Sequence, residues 1–168
     1  MGVSVCYETN EAFYIPLGHK EKTELKKDVV LKKLKPILED PSIKKVGQNI
    51  KYDFIIFKNN GIELSSVEDT MLLSYTLDAG NNRHNMDTLS DLHLGHKTIS
   101  YKDLVGTGKK QLNFADVDIK PATEYAAEDA DITLRLYEVL SERVSEEKLE
   151  RVYELSLIHI SEPTRPTP

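Results

Sequence analysis

Apolar residues recur along this chain with two different periods. Over residues 3–7 and 12–16 they alternate on either side of the turn-prone run Thr9-Asn10-Glu11, which predicts an opening β-hairpin. The spacing then becomes helical. Leu25, Val29, Leu31, Leu34 and Leu38 can meet a core from one helix over 22–39, with Pro41 just beyond its end. Its Lys26, Lys27, Lys32, Lys33 and Lys35 form a wet face. A short strand is expected over 44–47, followed at once by a helix over 49–59 that Asn60-Gly61 closes. Further helices are predicted over 69–77 and 86–94, and a long last one over 121–148 with Pro121 in its first turn. Residues 97–114 are loop-rich. Their Gly106-Thr107-Gly108-Lys109-Lys110 lacks the spacing of a phosphate loop and reads as a mobile turn. No internal repeat is present.

Two carboxylates break this pattern. In the long helix Ile132, Leu136 and Leu140 line one stripe, with Tyr125 and Asp129 inside it, while Asp131, Arg135, Glu138 and Glu142 fall opposite. In the helix over 49–59, Asp53 lies between Ile56 and Phe57 on the apolar face, away from Lys51 and Lys58. A carboxylate turned away from water is costly unless it is hydrogen-bonded, protonated or paired. No inward Lys or Arg lies nearby in sequence, so a shared divalent cation is the simplest partner, because hard metals take carboxylate oxygens.

Composition narrows the class. The chain has 168 residues, 39% hydrophobic and 30% charged, an ordinary balance for one globular domain. Its formal charge of −6 and pI near 5.4 exclude a bulk basic field, so polyanions would have to be held by metals and a few local contacts. Cys6 is the sole cysteine, which excludes an internal disulfide and fits a reducing compartment. No signal peptide or membrane-length apolar run is visible. Residues 155–168, containing Leu155-Ser156-Leu157-Ile158-His159-Ile160-Ser161-Glu162-Pro163-Thr164-Arg165, read like a translated sequencing-library adapter. The domain is therefore expected to be 1–154, with the natural protein continuing past Glu154 and the adapter-like tail outside the fold.

Several blocks taken in order are more specific. Val46-Gly47-Gln48-Asn49-Ile50-Lys51-Tyr52-Asp53, Asp69-Thr70-Met71-Leu72, Arg83-His84-Asn85-Met86-Asp87, His96-Lys97-Thr98-Ile99 and Tyr125-Ala126-Ala127-Glu128-Asp129-Ala130-Asp131 together resemble the 3′–5′ proofreading exonuclease domain of bacterial DNA polymerase I. The resemblance covers about 2–154. It implies an α/β, ribonuclease H-like mixed sheet flanked by helices, and removal of single nucleotides from a DNA 3′ end with two divalent metals (magnesium, manganese or zinc). By match, Asp53 and Asp129 are metal ligands and Tyr125 orients the attacking water, the three forming the catalytic set. Gln48, Asn49, Tyr52, Arg83 and Tyr101 are implied to hold the single strand through stacking and phosphate contacts. The implied partners are a single-stranded or frayed DNA 3′ end and a polymerase domain in the parent chain. The implied location is the bacterial cytoplasm at the nucleoid, with no membrane.

One motif of the family is absent. No Asp-x-Glu occurs anywhere in the 168 residues, and the chain opens at the strand that normally follows the one bearing it. The first strand is expected to be missing and the chain by itself inactive. A rival reading is a degenerate exonuclease-fold module that positions DNA for an adjoining polymerase without cutting. A free-standing RNA-processing exonuclease is a third, and it predicts no polymerase continuation. The remaining polar residues read more plainly. Asp131 is expected to be a solvated acid paired with Arg135, and Glu128 to lie near the polar edge of its helix. His93 and His96, separated by Gly95 with no cysteine nearby, read as surface or loop residues. His84 could help bind DNA or serve capping and packing, and Tyr101 could equally anchor its loop by packing under Leu104.

Overall fold

The computed structural model describes residues 2–20, 25–108 and 111–161. Strands β1 (Gly2–Glu8) and β2 (Glu11–Pro16) form the expected hairpin, with Val5 opposite Phe13 and Asn10 turning the chain at φ 69°. Helix α1 (Lys27–Leu38) leads to β3 (Lys45–Gly47), α2 (Ile50–Lys58) and β4 (Val67–Asp69). β3 and β4 pair in parallel, with α2 as the crossover that such pairing requires. Then come α3 (Thr70–Asp78), α4 (Met86–Leu94), the short α5 (Tyr101–Val105), a 3-10 turn at Phe114–Asp116, the long α6 (Ile119–Glu146) and α7 (Glu150–Ser161).

The class is α/β as the resemblance implies, but the described strands form two two-stranded sheets rather than one mixed sheet. Helix α6 spans both, packing against β1, β2 and β3. Both outer strand edges of each sheet carry no ladder partner among the described residues.

The core grows from the apolar stripe of α6. Ile132, Leu136, Leu140 and Val144 meet Leu73 of α3, Leu89 of α4 and Tyr153 of α7 in one buried cluster. Each such side chain contributes about 1.5–3 kcal/mol on burial. A smaller cluster of Val105, Val117 and Ala122 packs Tyr14, Leu104 and Phe114 beside the first turns of α6.

Three expectations differ from the structure. Helix α1 is shorter than the predicted 22–39, of which 22–24 lies outside the described residues, and only Leu31 of its five apolar positions is buried. Leu25 and Val29 stay 47% and 52% exposed because α1 lies at the periphery, where amphipathic spacing has little to pack against. Strand β4 has no counterpart among the predicted elements; at three residues it is too short to show a period. Finally, the adapter-like stretch continues α7 as helix to Ser161, and Leu157, one turn after the buried Tyr153, packs against the main core. Residues 162–168 and Lys109-Lys110 of the glycine-rich turn lie outside the described residues.

Candidate metal and nucleic-acid site

Asp129 sits on α6 one turn after Tyr125, half-buried as its place in the apolar stripe requires. Burial pushes its carboxyl up to about 6; the hydrogen bond from the Tyr125 hydroxyl opposes this, and the charges of Glu128 and Asp87 add to it. The Tyr125 hydroxyl is in turn driven well above its usual range by burial and by Asp129. Its ring leans on two others, Tyr101 of α5 at 5.8 Å and Phe114 at 6.0 Å between centroids. Tyr101 and Phe114 themselves stack at 6.3 Å. Tyr101 is therefore both 42% exposed and seated beside the proposed water-orienting hydroxyl.

Asp53 lies on α2, also half-buried. Burial raises it to about 6, a hydrogen bond from its own backbone N–H opposes the rise, and the charge of Asp69 adds to it. Among the described residues neither Asp53 nor Asp129 forms an ion pair with Lys or Arg. Two desolvated carboxylates without cations suit a hard metal. Yet each responds to different acids and not to the other, and among the described residues no three His, Cys, Asp or Glu side chains are grouped to hold an ion. The chain by itself offers separate ligands rather than a complete set.

Asp69 stands in the sequence as no more than an acidic helix start, and the structure gives it two helices to cap. Its carboxylate is 2% exposed and accepts from Met71 N at 2.9 Å and Leu72 N at 3.4 Å on α3. It also accepts from Asn49 N at 3.1 Å and Ile50 N at 3.0 Å at the start of α2. Asn49 takes a left-handed conformation there (φ 58°), which Asn tolerates well. Gly47 comes just before, where a Cβ would stand 2.9 Å from Ile50 Cγ1. Thr70 completes the brace by donating to the Gly47 carbonyl at 3.2 Å and to Gln48 Oε1.

The implied strand-binding residues fall into two groups. Asn49, Tyr52, Arg83 and Tyr101 are exposed. Gln48 is not free in the same way: its Oε1 accepts from Thr70 and its Nε2 donates to the His84 carbonyl at 2.8 Å, so its amide ties β3 to the Arg83-His84 segment. His84 is a packing residue, 7% exposed, with Nδ1 2.7 Å from Ser74 Oγ and its ring 3.7 Å from that of Tyr75.

Two acids of α6 do more than their helix positions suggest. Asp131 does face Arg135 at 3.6 Å, but it also accepts from Asn10 N at 2.6 Å and so fastens the β1–β2 turn to α6. Glu128 binds His96 Nε2 at 2.9 Å and accepts from Ile99 N at 2.6 Å. Asn10, His96 and Ile99 are all more than 25 residues away in sequence, beyond the reach of helical periodicity.

Comparison with known proteins decides the family. The 3′–5′ exonuclease family of DNA polymerase A matches residues 1–145. The chain belongs to that exonuclease family. DNA polymerase I of Rhizobium leguminosarum is 48% identical over 154 residues, covering 85% of this chain and 15% of the relative. The enzyme of Pseudomonas aeruginosa is 47% identical over 150 residues, covering 86% and 16%. This exonuclease domain thus spans about 15% of the length of those relatives. Among solved structures, Brucella melitensis NrnC with bound Mg2+ superposes with TM-score 0.68 at 21% identity, over 89% of this chain and 67% of that one. The POL domain of Pol1 from M. smegmatis, in complex with DNA primer-template and dNTP, gives 0.59 at 18% identity, over 81% and 19%. These two likenesses show a shared fold. No described helix is long and apolar enough to cross a membrane.

Proposed function

We propose that this exonuclease domain trims mispaired or frayed DNA 3′ ends for a polymerase carried on the same parent chain, and that it completes its metal site only with an acidic pair from a strand outside the chain. The observation that carries this is the pair of desolvated carboxylates, Asp53 and Asp129, each raised to about 6 and neither paired with a cation among the described residues. They fit two divalent ions, magnesium or manganese with zinc as an alternative, which when bound would supply an activated water and stabilise charge on the leaving 3′ oxygen.

The chain's own residues would do the rest. Tyr125, already donating to Asp129, holds the attacking water in line; a phenol keeps its proton at neutral pH, and burial and Asp129 hold that proton more firmly still. Asn49, Tyr52 and Arg83 engage the backbone of the single strand, Tyr101 offers a stacking face, and Gln48 fixes the segment that presents Arg83. The split between the β1–β2 and β3–β4 sheets, both packed on α6, supports a bridging strand there: it would pair with open backbone edges and carry its acids between α2 and α6. The setting we propose is the bacterial cytoplasm, at the chromosome.

The test is magnesium-dependent digestion of a 5′-labelled single strand. The expected result is no turnover by the chain alone and exonucleolytic laddering by the intact parent polymerase, abolished by Asp129→Asn. Robust turnover by the chain alone overturns the need for a further acidic pair. A parent that binds primer ends without cutting them establishes the rival reading, a non-catalytic module that positions DNA.

A further inference from the structure

Side chains hold the segment between α4 and α5 at four points. The Ser90 hydroxyl of α4 donates to the His96 carbonyl at 2.8 Å, and Thr98 Oγ1 donates to Asp87 at 2.7 Å. The other two are the contacts to Glu128: the His96 ring on one carboxylate oxygen and the Ile99 N–H, at 2.6 Å, on the other. The Ile99 contact is a charge-assisted hydrogen bond, stronger than a neutral one.

The segment leads directly into α5. Ile99 is two residues before Tyr101, and the Ser100 carbonyl between them accepts the first turn of α5 through Asp103 N and Leu104 N. Five residues make an α5 too short to hold itself in place. Its first residue rests on Tyr125, which lies three positions before Glu128 on α6. The circuit therefore closes on one helix: Glu128 grips the backbone at Ile99, the backbone carries Tyr101, and Tyr101 returns to Tyr125.

We infer that Glu128 is a positioning residue of the exonuclease site, one that touches neither metal nor DNA but sets Tyr101 as a fixed stacking face beside Tyr125. This rests on the nuclease reading above for what Tyr101 is placed to meet. It assigns the two acids of the Glu128-Asp129 pair opposite duties: Asp129 faces the candidate metal, and Glu128 turns aside to hold the wall of the strand channel. Pre-ordering that wall removes an entropic cost that a mobile α5 would impose on every binding event.

The experiment uses the full chain and three variants, Glu128→Ala, Glu128→Gln and Tyr101→Ala, with the Glu128→Ala/Tyr101→Ala double variant. A short fluorescein-labelled oligothymidylate is titrated by anisotropy, and amide hydrogen exchange is followed at Ile99. Glu128→Ala is expected to weaken binding roughly five- to tenfold, the scale of losing one stacked base, and to speed exchange at Ile99. Glu128→Gln, which keeps an acceptor for Ile99 N–H, is expected to retain most of the affinity. The double variant is expected to be no weaker than Tyr101→Ala, because Glu128 acts through Tyr101. If Glu128→Ala binds like the original chain, or if its loss and that of Tyr101→Ala simply multiply, the inference is overturned and the strand-binding assignment stands. A chain that fails to bind oligothymidylate at all overturns that assignment, and this inference with it.

Discussion

Asp69 and Asp53 are joined through a single helix end. The buried Asp69 carboxylate accepts the N–H groups of Asn49 and Ile50, the residues from which α2 starts, and Asp53 is one turn further along that helix. The orientation of a candidate metal ligand is thus fixed by an acid on a neighbouring strand, which at the same time caps α3. The arrangement has an electrostatic cost, since the Asp69 charge helps to raise Asp53.

Removing that brace is expected to loosen two helices at once. Asp69→Ala leaves four backbone N–H groups without their acceptor, so the loss in a urea titration is expected to be about 2–4 kcal/mol, toward the sum of two helix caps. Faster amide exchange is expected at Asn49 and Ile50 as well as at Met71 and Leu72. A loss under about 0.5 kcal/mol, or exchange confined to α3, contradicts the shared cap.

The two candidate ligands predict how stability follows pH. Each carboxyl is raised in the fold from 3.8 to about 6, so the fold binds more protons than the unfolded chain between those values. Their favourable contribution is complete below about pH 4, is lost as pH rises toward 6, and above that the ionised forms destabilise the metal-free fold by up to roughly 3 kcal/mol each. Asp53→Asn and Asp129→Asn are each expected to stabilise the metal-free chain at pH 7 by about 1–3 kcal/mol and to have little effect at pH 4. Equal effects at both pH values would rule this out.

Tyr153 ties α7 to β4, the strand that ends in Asp69. Its hydroxyl accepts from Asp69 N at 2.9 Å and donates to Glu68 Oε2 at 2.7 Å, and the residue is only 6% exposed. Tyr153→Phe strands a buried N–H and is expected to cost about 1–3 kcal/mol of stability by thermal or urea unfolding. No measurable loss would mean that α7 is not braced through this hydroxyl.

In a polymerase carrying this domain, as proposed above, Tyr125→Phe is expected to lower kcat for single-strand digestion by about one to three orders of magnitude while leaving KM nearly unchanged, because in the proposed mechanism the hydroxyl acts on the reacting water rather than on the strand. Arg83→Ala should do the reverse, raising KM with kcat retained. Exchange of these two patterns would show that the roles are misassigned.

The chain's own spacing determined the hairpin, helix α4 and, to within two residues at each end, helix α6, and the inward direction of Asp53, Tyr125 and Asp129, because each follows from a local period that one element imposes on itself. The second duty of Asp69, the grips of Glu128 on Ile99 and of Asp131 on Asn10, and the internal engagement of Gln48 were decided only in three dimensions. Each joins groups 19 or more residues apart through a backbone N–H or carbonyl, which no side-chain pattern records. The solvent exposure of α1 has the same origin: amphipathic spacing states which face could be buried, while whether a neighbour covers it depends on where the rest of the chain packs.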